Sequence, residues 1–92
     1  MYLEIVTPEA VLFSGEVTSV AVPGADGEFQ MLDNHAPILS SLVKGSIKVY
    51  GDINPEEEVA DKFSKGDNGA THVTIESGVI EMKDNKIIIL AD

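Results

Sequence analysis

Ninety-two residues carrying a formal net charge of −10 leave room for one core, because two would each bury too little surface to offset chain entropy. Six lysines, no arginine and sixteen carboxylates exclude a nucleic-acid partner, since every phosphate contact would oppose the protein's own field. Adhesion to anionic lipid is excluded for the same reason; a basic protein partner fits the charge, and so does plain solubility.

Without cysteine there is no disulfide framework, thiolate metal site or thiol nucleophile, which suits a reducing compartment. The opening Met1-Tyr2-Leu3-Glu4-Ile5 has no basic leader and no long apolar run, so no signal peptide is expected. The longest aliphatic stretch, Ile87 to Leu90, is far short of the roughly 20 residues of a spanning helix. Direct membrane insertion is therefore not expected.

Along the chain the dominant period is two. Tyr2 to Thr7 sets Leu3 and Ile5 opposite Glu4 and Val6, and after Pro8-Glu9 the run Val11-Leu12-Phe13 is expected to end at Ser14-Gly15. Glu16 to Val22 alternates as one strand, Pro23 to Gly27 is a dense turn signal, and Glu28 to Leu32 resumes with Phe29 and Met31 on one side. Pro37 and Asp33-Asn34 predict a rigid, irregular corner before the apolar segment Ile38 to Val43. Gly45 to Tyr50 alternates through Ile47 and Val49, and His72 to Glu76 through Val73 and Ile75. Val79 to Lys83 and Lys86 to Leu90 flank Asp84-Asn85, a hairpin signal, because Asp and Asn tolerate the left-handed region. Ile87 to Leu90, apolar on both faces, reads as a central strand covered on both sides.

One segment departs from this rhythm. In residues 54–65, Asn54 suits a helix cap, Pro55 the first helical position and Glu57 a capping box, with acid first and lysine last. Val59 and Phe63, four apart, are able to dock such a short helix; two apolar anchors are few, and a solvated excursion fits as well. The whole predicts a single all-β domain over residues 1–92, a two-sheet sandwich of about ten short strands.

No constellation for catalysis is present. His35 and His72 lie on different elements without ligand spacing, and Ser40 and Ser41 lack the turn that exposes a nucleophile. Gly24 and Gly27 are followed by no lysine, and Asp26 and Glu28 would repel a phosphate. Neither enzyme activity nor a cofactor or metal is expected. His35 fits either a locally satisfied corner residue or one that offers its second ring nitrogen to a partner.

At this corner the chain resembles a known family. The run His35-Ala36-Pro37-Ile38-Leu39, preceded by Gly27-Glu28, is similar to the signature region of bacterial ATP synthase epsilon subunits. The front, from Leu3-Glu4-Ile5 through Phe13-Ser14-Gly15 to Gly27-Glu28, resembles the family's opening strands. The stretch Ser77 to Asp92 resembles its closing hairpin, so most of the chain takes part. Each motif is weak alone; their order and spacing are specific.

The resemblance implies a non-catalytic β-sandwich at the foot of the central stalk. It would couple the gamma shaft to the polar loops of the proton-driven c-ring, on the cytoplasmic face of the bacterial inner membrane. It also implies roles by position. Glu28 matches the acid that meets the c-ring loop, with Asp26 and Asp33 able to complement a basic loop residue. Thr7, Leu12, Phe13 and His35 fall at the gamma side, where an apolar patch around Leu12, Met31, Ile38 and Leu42 is expected; Phe13 fits the core equally. Many relatives carry a C-terminal helical hairpin that restrains ATP hydrolysis. This sequence stops at Asp92, so helix-based inhibition is not expected of it, and Gly51 to Ala70 is longer than the family's usual loop. The other classes that fit are a free-standing sandwich for a small ligand, with little aromatic material to build a platform, and a small hydrolase, which needs His35 and His72 to converge.

Overall fold

The computed structural model describes residues 1–66 and 68–92. Its strands are β1 (Tyr2–Val6), β2 (Val11–Glu16), β3 (Ser19–Gly24), β4 (Gly27–Leu32), β5 (Ile38–Leu42), β6 (Gly45–Tyr50), β7 (Phe63–Lys65), β8 (Thr71–Ile75), β9 (Gly78–Lys83) and β10 (Lys86–Ala91). They form one curled sheet in the order β2-β1-β10-β9-β5-β3-β6-β8-β7, with β4 on the remaining side of β3. The all-β expectation of about ten short strands stands. What was expected as two sheets is a single hydrogen-bonded path folded over on itself. The fold line is the β5–β3 junction, where only Gly24 pairs with Leu42. An added Cβ on Gly24 would lie 2.7 Å from the Phe29 ring, so the crossing needs glycine.

Alternation decides which side chains meet inside. From one layer come Leu3, Ile5, Phe13, Ile80, Met82, Ile87 and Ile89; from the other, Val20, Val22, Met31, Ile47, Val49, Val73 and Ile75. Burying each such side chain contributes on the order of 1.5–3 kcal/mol, before the entropy that opposes folding. β1 and β10, far apart in sequence, pair in parallel from Tyr2–Lys86 to Val6–Leu90. The β9–β10 turn is the expected two-residue hairpin. Asp84 and Asn85 take φ of 53° and 62°, the paired left-handed geometry that matches strand twist.

Four local expectations are corrected. Ser14-Gly15 does not end β2, which runs to Glu16; Gly15 pairs with Leu3, and the Phe13 ring lies over its bare face. The expected strand from Glu16 to Val22 is broken at Val17-Thr18, where the chain passes from one layer to the other. β10 has a strand on each edge but only one buried face: Ile87 and Ile89 are enclosed while Leu90 is exposed. Residues 54–65 hold the expected short helix, a 3-10 turn over Glu57–Lys62, but without the expected Asn54 cap. Glu56 stands at its start with no side-chain cap, and Phe63 already begins β7. Ile53 and Val59 are buried, so the excursion is anchored by two apolar side chains.

Candidate functional site

The outer faces of the two layers differ. Over β4, β3 and β6 the outward positions of the middle strand are small: Ser19, Ala21 and Pro23. Long side chains from both neighbours close over them. Gln30 Nε2 donates to Ser19 Oγ at 3.0 Å. Lys48 Nζ, from β6, reaches Glu28 Oε1, from β4, at 2.8 Å. Ser19 and Ala21 are buried in consequence, although they point away from the core.

On the other layer polar outward positions such as Glu4, Glu81 and Lys86 flank one apolar row. Val11 pairs with Val6, Val6 with Leu90, and Leu90 with Val79, a row that crosses four strands. Val11, Leu90 and Val79 are 51%, 55% and 43% exposed, and Leu39 and Val43 on and after β5 are exposed nearby. A shallow hollow of about 440 Å³ runs along this row between Val6, Val79 and Leu90. Scattered apolar side chains are ordinary on a protein surface, whereas a connected row is a candidate docking face.

This placement corrects part of the expected gamma-side patch. Leu12, Met31 and Leu42 are 3%, 0% and 3% exposed, and Phe13 is buried with them. Strand alternation turns them into the core, where a partner does not reach them. Ile38 is half-buried, and Thr7 sits in the β1–β2 turn, where its hydroxyl closes a local turn with Ala10. Their outward neighbours Val11, Leu39, Val43, Val79 and Leu90 are the side chains offered instead. Sequence reasoning missed these; the signal was the second apolar face of the Val79 and Ile87–Leu90 strands.

The corner between β4 and β5 is held by two residues distant in sequence, Met1 and Asn85. Asp33 Oδ1 accepts from the Met1 ammonium at 2.9 Å and from Asn85 Nδ2 at 3.0 Å. Asn34 N–H donates to Asn85 Oδ1 at 2.7 Å, tying the corner to the β9–β10 turn. The ammonium hydrogen bond, then the Asn85 amide, hold the Asp33 carboxyl below its ordinary pKa. The same Asp33 hydrogen bond raises the ammonium pKa against the pull of desolvation. Asp33 is thus committed to the fold on one oxygen, unlike Asp26, which lies exposed in the β3–β4 turn. His35 Nδ1 donates to the Ala36 carbonyl at 2.8 Å, which leaves Nε2 as the ring's remaining acceptor.

His35 and His72 stay on separate elements: His35 in the corner, His72 on β8 opposite Lys48 and Ser64. Among the described residues no group of three or more His, Asp or Glu is placed to hold a metal ion.

The chain matches the family of the ATP synthase delta/epsilon chain β-sandwich domain over residues 1–92. It is 39% identical over 90 residues to an ATP synthase epsilon chain of Chlorobium limicola, covering 98% of this chain and 86% of that one. To the epsilon chain of Desulforamulus reducens it is again 39% identical over 90 residues, covering 98% of this chain and 57% of the relative. The Campylobacter concisus epsilon chain is 38% identical over 92 residues, with 60% of its length covered. This chain thus spans less than two thirds of the latter two relatives. The fold is also shared with a chain in the central stalk and c-ring structure of the Tetrahymena thermophila mitochondrial ATP synthase. There the TM-score is 0.72 at 14% identity, covering 99% of this chain and 62% of the other. By the family match and the identity to these relatives, the chain belongs to the ATP synthase delta/epsilon chain β-sandwich family.

Proposed function

We propose that this chain is a non-catalytic connector in the central stalk of a proton-translocating ATP synthase, joining the gamma shaft to the c-ring during rotary ATP synthesis. The observation that carries this reading is the uncovered apolar row Val11-Val6-Leu90-Val79 on a sheet that is hydrogen-bonded from end to end. A connector has to grip a partner without yielding. An apolar row on a flexible segment would give affinity alone; on a continuous sheet it also passes load.

In this reading gamma covers the row, with Leu39, Val43 and the half-buried Ile38 beside it and Thr7 at its margin, while His35, in the corner tied to the β9–β10 turn, lies toward the opposite end of these strands. Leu12, Phe13 and Leu42 act only as the core beneath. The turn end, with Asp26 and Glu28, faces the polar loops of the c-ring. Asp33 contributes mainly by holding the corner. Exposed ion pairs contribute about 0.2–1 kcal/mol each, so the charged end orients the joint and the apolar face supplies most of its affinity. The assembly sits on the cytoplasmic side of the bacterial inner membrane, and this chain is attached there through its partners.

The test is reconstitution with the gamma subunit of the same organism. A one-to-one complex at micromolar concentration is expected, with solvent protection along β9, β10 and the exposed side of β5. A purified pair that stays apart at that concentration sinks the reading.

A further inference from the structure

Chain termini are usually loose unless something ties them down. Here the first residue is tied by all of its groups. Met1 is 7% exposed, and its side chain is packed into the core. Its carbonyl accepts from Val17 N–H at 2.9 Å, and its ammonium donates back to the Val17 carbonyl at 3.3 Å. The ammonium also donates to Asp33 Oδ1 at 2.9 Å and lies 3.5 Å from Glu16 Oε1. An ammonium has three N–H groups, and three acceptors stand around this one.

Three distant stretches of chain meet at the same place. Tyr2 N–H donates to the Asn85 carbonyl at 3.1 Å, Asn85 Nδ2 donates to Asp33 Oδ1, and Asn34 N–H donates to Asn85 Oδ1. Residues 1–2, the β4–β5 corner and the β9–β10 turn thus close on one another beside a single cation. Its hydrogen bond is the first cause of the lowered Asp33 pKa, ahead of the Asn85 amide. With the side chain enclosed and the carbonyl bonded, the nitrogen cannot swing into solvent without disturbing the core.

We propose that the Met1 nitrogen is a modification site that this fold reads: the junction closes on a free ammonium and is opened by a formyl or acetyl group on that atom. Acylation acts there in three ways. It removes the positive charge between Asp33 and Glu16, it leaves one N–H for three acceptors, and it adds a carbonyl oxygen beside two carboxylates. At so enclosed a residue water has little access to take over the lost bonds. Bacterial synthesis begins on N-formylmethionine, and the step that frees the amine is hydrolysis. Water adds to the formyl carbon and the carbon–nitrogen bond breaks. Formate leaves, and the nitrogen takes one proton from the water and one from the departing formic acid. A hydrolase of formylated termini is therefore the class of enzyme that has to act before this junction closes. The proposal concerns the chain by itself and stands apart from the connector reading.

Full-length chains made by chemical synthesis with a free, formylated or acetylated Met1 test this, by urea unfolding and residue-resolved amide exchange at neutral pH. Either acyl group should lower the folding equilibrium constant at least fivefold. The Tyr2 and Asn34 amides, which bond to Asn85, should gain more in exchange rate than the amides of β6 and β8 in the far layer. In the Asp33→Asn background the same acyl groups should lower the constant by no more than about twofold, because the main partner of the cation is already gone. Equal folding constants for the three chains, or an equal effect of acylation with Asp33 and with Asn at that position, overturns the proposal. If the acylated chains do not fold, the intact mass of the chain isolated from its own cells decides. A free amine on Met1 upholds the proposal, and an acyl group or further residues on that nitrogen overturn it.

Discussion

Across the β4-β3-β6 face, Glu28 and Lys48 meet over Ala21 and Pro23, and Gln30 bends back onto Ser19; across the β2-β1-β10-β9 face, Val11, Val6, Leu90 and Val79 stand side by side without a cover. The two faces belong to the same curled sheet and differ in what the outward positions of the central strands carry. Small residues on β3 let long polar side chains reach one another from two strands apart. At the Val79–Leu90 end of β9 and β10 the outward residues are branched and no long polar side chain closes over them. Much of the first face is closed over by this chain's own side chains. The apolar row of the second is left open, and the proposed gamma contact is placed there for that reason.

The sharpest probe of this contrast lies within one strand. Ile89→Ala should lower folding stability by about 2–5 kcal/mol, because it opens a cavity under a fully enclosed side chain. Its neighbour Leu90→Ala should stay within about 0.5 kcal/mol in the same urea titration. Equal losses would mean that the outward face is not open. Next in size, Leu90→Asp should cost about 2 kcal/mol or more of affinity for gamma, read by titration calorimetry, with little change in stability. Unchanged affinity would remove the apolar row from the interface.

A third probe uses pH to separate the corner from both faces. Asp33 has a folded pKa below its ordinary value of 3.8, so its contribution is present above that value and is lost as pH falls through the depressed folded value. The Met1 ammonium is raised above 8.0, so its contribution is full below 8.0 and is lost as pH rises through the raised value. Asp33→Asn should flatten the stability profile at both ends while leaving gamma affinity near neutral pH unchanged. A profile as curved as that of the parent chain would place the coupling elsewhere. The smallest effect is expected on the covered face. Lys48→Met should change stability by about 0.2–1 kcal/mol, with a difference that shrinks as salt is added. A larger loss that salt does not reduce would mean that the ammonium does more than pair with Glu28.

Much of the fold was legible because period-two alternation is a local property. Leu3 and Ile5, Ile47 and Val49, and Val73 and Ile75 all face inward as their spacing predicts. The Asp84-Asn85 turn was equally plain, since few side chains accept two consecutive positive φ values. The candidate site was less legible. Alternation says that two faces exist and does not say which is inside, so Leu12 and Leu42 passed for surface and Leu90 for core. Glu28 and Asp33 were identified as acids at an exposed end, but their partners Lys48, Asn85 and Met1 are distant in sequence.

Composition, spacing and turn chemistry by themselves determined an acidic all-β chain with strands near their observed places, because each of these acts within a few neighbouring residues. Only the tertiary structure decided that β1 lies parallel to β10, that the path folds over at Gly24 and Leu42, and that one outer face is covered while the other is bare. Those outcomes depend on which strands become neighbours. Neighbours far apart in sequence are chosen by the packing of the whole core, and no short stretch of the chain encodes them.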